Sequence, residues 1–319
     1  MDASEALLPL ADVAEDQRPL IRAFREAGEI SFQTVPLAEA RANYDLTGAA
    51  NGLQTEPLAT VRDHSIEVPG DTPGGRIAIR EYRPSAGRLP AILFLHGGGW
   101  VIGGLASHDP LCRFLAQASG AAVFAVDYRL APEHPFPTPL EDAEAGLRWL
   151  RDQAETLDID AGRIALAGDS AGGNLAAVLA NTSATEPAAV VLLYPVTDLR
   201  GATWGRLTRG VPLSVRSMEW FRGHYAGEAD LSDPRLSPLL AADPSRAPHF
   251  IVTCGHDPLA EEGVAYAGRL ALHGAEVEHH HLPRHAHGLF TAAGKVATGR
   301  RLAEAAGIFL ADRLGGGAG

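Results

Sequence analysis

The chain has 319 residues, of which 46% are hydrophobic and 21% charged, a balance that excludes disorder and leaves room for a large core. Its formal net charge of −12 argues against nucleic acid or an anionic membrane surface as partner. No apolar stretch approaches the length of a membrane span, and residues 1–10 carry acids where a signal peptide would carry bases, so no signal peptide is expected. Cys112 and Cys254 are the only cysteines and read as two buried thiols of a cytoplasmic protein.

In chain order, residues 1–50 are rich in Ala, Leu and Glu. Their helical spacing (Leu20, Ile21, Phe24, then Leu37, Ala38, Ala40) predicts two short helices. Strand-like runs at 64–68 and 76–82 follow, with Pro-Gly punctuation between them. Runs at 91–95, 122–126, 164–167, 190–193 and 250–253 then alternate with helical patterns, which predicts an α/β protein with a mostly parallel central sheet flanked by helices. The polar run at 276–282 reads as an edge strand. Asp109 and Pro110 read as the N-cap and first turn of a helix, and Asp127-Tyr128-Arg129 as the anchor of the loop carrying Pro132 to Pro137.

The alternation breaks between Asp198 and Leu236, in a stretch holding Trp204, Trp220, Phe221 and Tyr225. With residues 1–50 this insertion, 198–236, is expected to form a small helical cap over a body made of 51–197 and 237–314. Residues 315–319 read as a disordered glycine tail.

Chemistry concentrates in Gly168-Asp169-Ser170-Ala171-Gly172-Gly173, between the run at 164–167 and a helical pattern. Strand, sharp turn and helix with a serine at the apex is the Gly-x-Ser-x-Gly nucleophile elbow. A β-carbon at either flanking glycine would collide with the neighbouring strand or helix. Ser170 would then stand exposed at the C-terminal edge of the sheet, with the Ala171 amide pointing at the oxygen of whatever it attacks. Upstream, His96-Gly97-Gly98-Gly99-Trp100 follows the run at 91–95. Glycines there let backbone N–H groups approach a developing oxyanion. The two motifs in this order point to ester hydrolysis.

The partners of Ser170 should follow as an acid and then a histidine. His287 lies in the loop after the last strand, with His285 as its rival. Asp257 follows the run at 250–253 and is favoured over Asp198, because its strand can neighbour the one leading to His287. His279 and His281 share one strand face, but no Cys, Asp or Glu adjoins them at ligand spacing. No metal and no cofactor is therefore expected.

These stretches, with Asp127 through Pro137, Leu193-Tyr194-Pro195, Ser237-Pro238-Leu239, Asp257-Pro258-Leu259 and His287-Gly288, resemble the hormonesensitive-lipase-like α/β-hydrolases, also called bacterial esterase family IV. The resemblance spans roughly residues 60–312. It implies the α/β-hydrolase fold, Ser170 as nucleophile, Asp257 as acid, His287 as base, and an oxyanion hole from the amides of Gly98, Gly99 and Ala171. Trp100, Asp169, Tyr194 and Trp220 are expected on the substrate side. Trp100, the Ala260-Glu261-Glu262 run, and Leu282, Arg284 and His285 depart from the family pattern and bear on the pocket and the histidine loop.

The expectation is a carboxylic ester hydrolase for short acyl chains. Its partner is a small-molecule ester, with no nucleic acid and no membrane, and a homodimer left open. Lactone or amide hydrolysis, or acyl transfer, would use the same groups, and fold alone does not decide among them. A non-catalytic binder on the same fold would not need all of Ser170, Asp257 and His287.

Overall fold

A computed structural model describes residues 7–29, 31–68, 75–204 and 209–315. Residues 316–319 of the expected tail and 205–208 of the insertion lie outside these. Eight strands form one sheet in the order β1-β2-β4-β3-β5-β6-β7-β8. They are β1 (Thr60–Glu67), β2 (Arg76–Arg83), β3 (Leu89–Leu95), β4 (Ala122–Val126), β5 (Ile159–Asp169), β6 (Val190–Leu193), β7 (His249–His256) and β8 (Val277–Ala286). Only the pairings of β2, with β1 and β4, are antiparallel.

Residues of β3, β4 and β6 are buried almost throughout. The reason is that parallel strands here are covered on both faces, so their sequences read as unbroken apolar runs. The two-residue pleat still sorts the side chains. Ala91, Leu93 and Leu95 join one core with helices α4 (Thr138–Asp152), α5 (Ala171–Thr182) and α7 (Ala260–Leu272). Ile92 and Phe94 join the other, with α3 (Leu105–Ser119) and α8 (Ala297–Arg313). The edge strands β1 and β8 carry the polar residues.

Two of the elements that run longer than their patterns suggest pass through a proline. β8 continues through Pro283 to Ala286, because its pairing with β7 shifts register there, and proline is tolerated at such an irregularity. Helix α3 starts at Leu105, five residues before Pro110. The turn into α3 is closed instead by Ser107, whose hydroxyl accepts from the Gly104 amide at 3.0 Å. Asp109 sits inside the helix and pairs with Arg113 at 2.6 Å.

The predicted N-terminal helices are α1 (Arg18–Glu26) and α2 (Leu37–Asn51), and the insertion contains α6 (Val215–Tyr225). Phe32 lies 5.4 Å from Phe221 of α6, ring centre to ring centre, so the two segments meet. Arg41 of α2 reaches the carbonyls of Val101 and Ala131 and pairs with Glu133 at 2.7 Å. Among the described residues no helix is long and apolar enough to cross a membrane.

β3 is where the topology turns: the chain leaves it for β4 on one side and returns to β5 on the other. In open α/β sheets the crevice at such a switch point, beyond the C-terminal strand ends, is where ligands bind.

His249 opens β7 fully buried, with Nδ1 2.7 Å from the Ala247 carbonyl. Burial holds its imidazole down to about 4, from an ordinary 6.5. Between those values the unfolded chain takes up a proton that the folded chain refuses, so stability is lost as pH falls. Chemical denaturation at about pH 7 and about pH 5 should show a smaller loss of unfolding free energy for His249→Gln than for the parent. Equal losses would remove His249 as a cause.

Candidate active site

Ser170 occupies the single residue between β5 and α5, with φ 53° and ψ −117°. A side chain other than glycine is rarely found there, and the surroundings must hold it. Its amide donates to the Leu193 carbonyl at 2.8 Å, and its carbonyl accepts from the amides of Asn174 and Val196. The flanking glycines are forced. A β-carbon on Gly172 would fall 1.9 Å from the Leu95 carbonyl oxygen, and one on Gly168 would fall 2.4 Å from that of Gly172.

Asp257 follows β7, His287 follows β8, and these strands are paired. His287 Nε2 lies 3.0 Å from Ser170 Oγ, and His287 Nδ1 lies 2.5 Å from Asp257 Oδ2. The other carboxylate oxygen of Asp257 accepts from the Leu259 amide at 3.0 Å. Ser170 and Asp257 are each 8% exposed, so the relay is shielded from water but open at one end. The ring of Tyr194 packs 4.2 Å from the imidazole.

The rivals point elsewhere. Asp198 pairs with Arg200 at 2.7 Å. His285 Nε2 lies 3.1 Å from Asp16. His279 and His281 both approach the hydroxyl of Thr253, each at 2.9 Å.

The loop after β3 is brought beside the elbow by the pairing of Leu95 with Gly168. Gly98 has φ 117° and Gly99 φ 61°. A β-carbon on Gly98 would sit 2.1 Å from the Ile102 carbonyl oxygen, and one on Gly99 2.2 Å from the Phe221 ring. The amides of Gly98, Gly99 and Ala171 are buried and find no acceptor among the described residues. Buried unpaired N–H groups are rare, and a cluster beside a serine hydroxyl is suited to receive an external oxygen.

A buried polar network behind this loop is not legible from motifs. Asp169 accepts from the Gly97 amide at 2.8 Å and lies 3.0 Å from His108 Nε2, while His108 Nδ1 lies 2.9 Å from the Ser107 hydroxyl. Burial pulls the Asp169 carboxyl upward, but His108 and the Gly97 amide outweigh it and hold it below the usual carboxylate range. His96 stacks on Tyr128 at 4.2 Å, and the Tyr128 hydroxyl donates to the His96 carbonyl. Burial first, and His108 second, hold the His96 imidazole down to about 3.

The residues expected on the substrate side differ in how they stand. Asp169 has its carboxylate engaged by Gly97 and His108. Tyr194 is buried and its hydroxyl accepts from the Phe290 amide at 3.2 Å. Trp100 is buried and stacked on Tyr225 at 4.2 Å. Trp220 is half-buried against Phe221 and His224. A further group escaped the sequence reading: Glu262, whose carboxylate accepts from the amides of Thr197 and Asp198 and from the Trp204 indole. Burial pushes it up to about 8 despite three donors. Its sole sequence signal was its place in the departing Ala260-Glu261-Glu262 run.

Residues 92–291 match the family model described as alpha/beta hydrolase fold. The chain is 41% identical to the ethyl acetate hydrolase of Pseudomonas putida, over 81% of this chain and 85% of that protein. It is 39% identical to the carboxylesterase NlhH of Mycobacterium tuberculosis, over 71% of this chain and 77% of that protein. Among solved structures, an ester-hydrolase from the metagenome of Lake Arreo, complexed with a derivative of bipyridine phosphonate, superposes with a TM-score of 0.87 at 37% identity, covering 95% of this chain and 99% of that one. By fold, motif and similarity together, the chain belongs to the α/β-hydrolases, in their hormone-sensitive-lipase-like branch.

Proposed function

We propose that the protein is a serine carboxylesterase acting on short-chain acyl esters. The observation that carries this reading is the relay from Asp257 through His287 to Ser170, at 2.5 and 3.0 Å, ending beside three unpaired amides. The similarity to an ethyl acetate hydrolase and a carboxylesterase supports the reaction class.

In the proposed reaction His287 Nε2 takes the Ser170 proton as Oγ attacks the ester carbonyl. Charge developing on the carbonyl oxygen is received by the amides of Gly98, Gly99 and Ala171, which cost no reorganisation because they are already unpaired. Asp257 holds the tautomer with Nδ1 protonated and stabilises the imidazolium. His287 protonates the departing alcohol, and water then releases the acid from Ser170 by the same path. Asp169 and Tyr194 serve by holding the oxyanion loop and the imidazole, while Trp220 and the Trp100–Tyr225 stack bound the substrate space. Residues 1–50 and 198–236 act as the cap over the body. A cytoplasmic setting belongs to the same proposal, and the buried, unpaired Cys112 and Cys254 support it.

Ser170→Ala should abolish hydrolysis of p-nitrophenyl acetate with the fold retained, and an organophosphonate should label Ser170. Substantial turnover by the variant, or labelling of another serine, would sink the assignment. An ester, an anilide and a lactone assayed together separate ester hydrolysis from the other acyl transfers.

Asp257→Asn should cost on the order of 10⁴-fold in kcat. Asp198→Asn should cost far less, because that carboxylate serves Arg200. If the two prove equally damaging in folded protein, the acid is misassigned.

The profile over acyl length follows from the aromatic walls. Each methylene entering an apolar pocket gains about 0.8 kcal/mol, until the tail meets a wall and displaces the carbonyl from its attack position. With Trp220 and Phe221 closing the space and the buried Trp100–Tyr225 stack behind them, kcat/KM over a p-nitrophenyl ester series should peak at about two to six carbons. A maximum at about ten carbons or more would overturn the short-chain claim and leave the relay untouched.

A further inference from the structure

We infer that Gln17 is a positioning residue for the active-site histidine, acting from the N-terminal segment across the free edge of β8. The inference rests on the reading of His287 as the general base.

Gln17 is fully buried. Its side-chain carbonyl accepts from the Ala286 amide at 2.7 Å, and its side-chain N–H donates to the Ala286 carbonyl at 3.1 Å. Ala286 is the last residue of β8 and immediately precedes His287. At this point β8 has no further strand beside it. The primary amide of Gln17 therefore does what the peptide group of a ninth strand would do, filling one donor and one acceptor on the strand edge.

The neighbours of Gln17 bind the same stretch. The Ala14 amide donates to the Arg284 carbonyl at 2.7 Å. Asp16 meets His285 with one carboxylate oxygen and the Thr298 amide with the other. Arg284 donates back to the carbonyls of Asp12 and Ala11. Val13, Ile21, Val211 and Ala286 close over these contacts as a small apolar cluster.

The position of the imidazole depends on this clamp. On its C-terminal side His287 is followed by Gly288, with φ 86°, whose carbonyl accepts from the Ala292 amide and the Thr291 hydroxyl and so ties it forward into the next turn. On its N-terminal side both peptide groups of Ala286 are held by Gln17. Near-attack geometry is demanding, and an error of 1 Å can cost ~10²-fold in rate. Glutamine is the side chain that fits: glutamate has the same shape but no donor for the Ala286 carbonyl, and leucine has neither group.

The test uses the full chain with Gln17→Glu and Gln17→Leu. Active sites are counted by phosphonate labelling, and p-nitrophenyl acetate kinetics are expressed per labelled site. Both variants should lose about tenfold or more in kcat with KM little changed. In parallel, the low-field proton NMR signal of the His287 Nδ1–H, identified by its absence in His287→Ala, should broaden or disappear in both. This second measurement needs no turnover, so an inactive parent would refute the esterase reading while leaving the clamp open to judgement. Gln17→Glu changes no volume and keeps one hydrogen bond, which covers failure of Gln17→Leu to fold. Parent-like kcat per site, or an unchanged imidazole signal, would overturn the inference.

Discussion

The site depends on how closely two backbone segments approach at the crossover of the sheet. The end of β3 and the first turn of α5 lie so near that a methyl group on Gly172 would overlap the Leu95 carbonyl oxygen at 1.9 Å. Because they are that close, the elbow serine and the glycine loop share one crevice although some 70 residues separate them in the chain. Every other part of the site is arranged around that contact. Asp169 ties the loop to the elbow on the inner side, Tyr128 braces the His96 carbonyl, and Phe221 of the insertion closes against Gly99.

Such closeness has a cost, which falls on buried polar groups and on one strained residue. Ser170 holds an unfavourable backbone conformation, worth of order 1–3 kcal/mol, under hydrogen bonds from its own peptide groups to β6 and the segment after it. His96, His108 and Asp169 are all buried, and each must find partners or shed its charge. The result is a rigid floor in which charge and hydrogen bonding are settled before any ligand arrives, leaving three amides unengaged.

Much of the fold was legible because central strands announce themselves. The runs at 122–126 and 190–193 coincide with β4 and β6, since strands buried on both faces have no reason to include polar residues. The elbow and the glycine loop were legible because their glycines are sterically compelled. Strand adjacency separated Asp257 from Asp198, and the two carboxylates do face different partners, His287 and Arg200. Other features carried no local signal. Asp109-Pro110 imitates a helix start, but the turn that begins α3 is set by Gly104 and Ser107. Gln17, His108 and Glu262 make long-range hydrogen bonds, which leave no period and no spacing to read.

The distances along the chain also order its assembly. Ser170 and its glycine loop belong to neighbouring parallel strands, whereas Ser170 and His287 are 117 residues apart and Gln17 and Ala286 are 269 apart. Contacts of such separation close late, after the intervening loops have lost their freedom. The elbow and its glycine loop can therefore pair before His287 is brought to them. The last strand of the sheet follows every other in the chain, yet it docks against a segment that precedes them all. The meeting of Ser170 with His287 is thus a property of the fully assembled sheet.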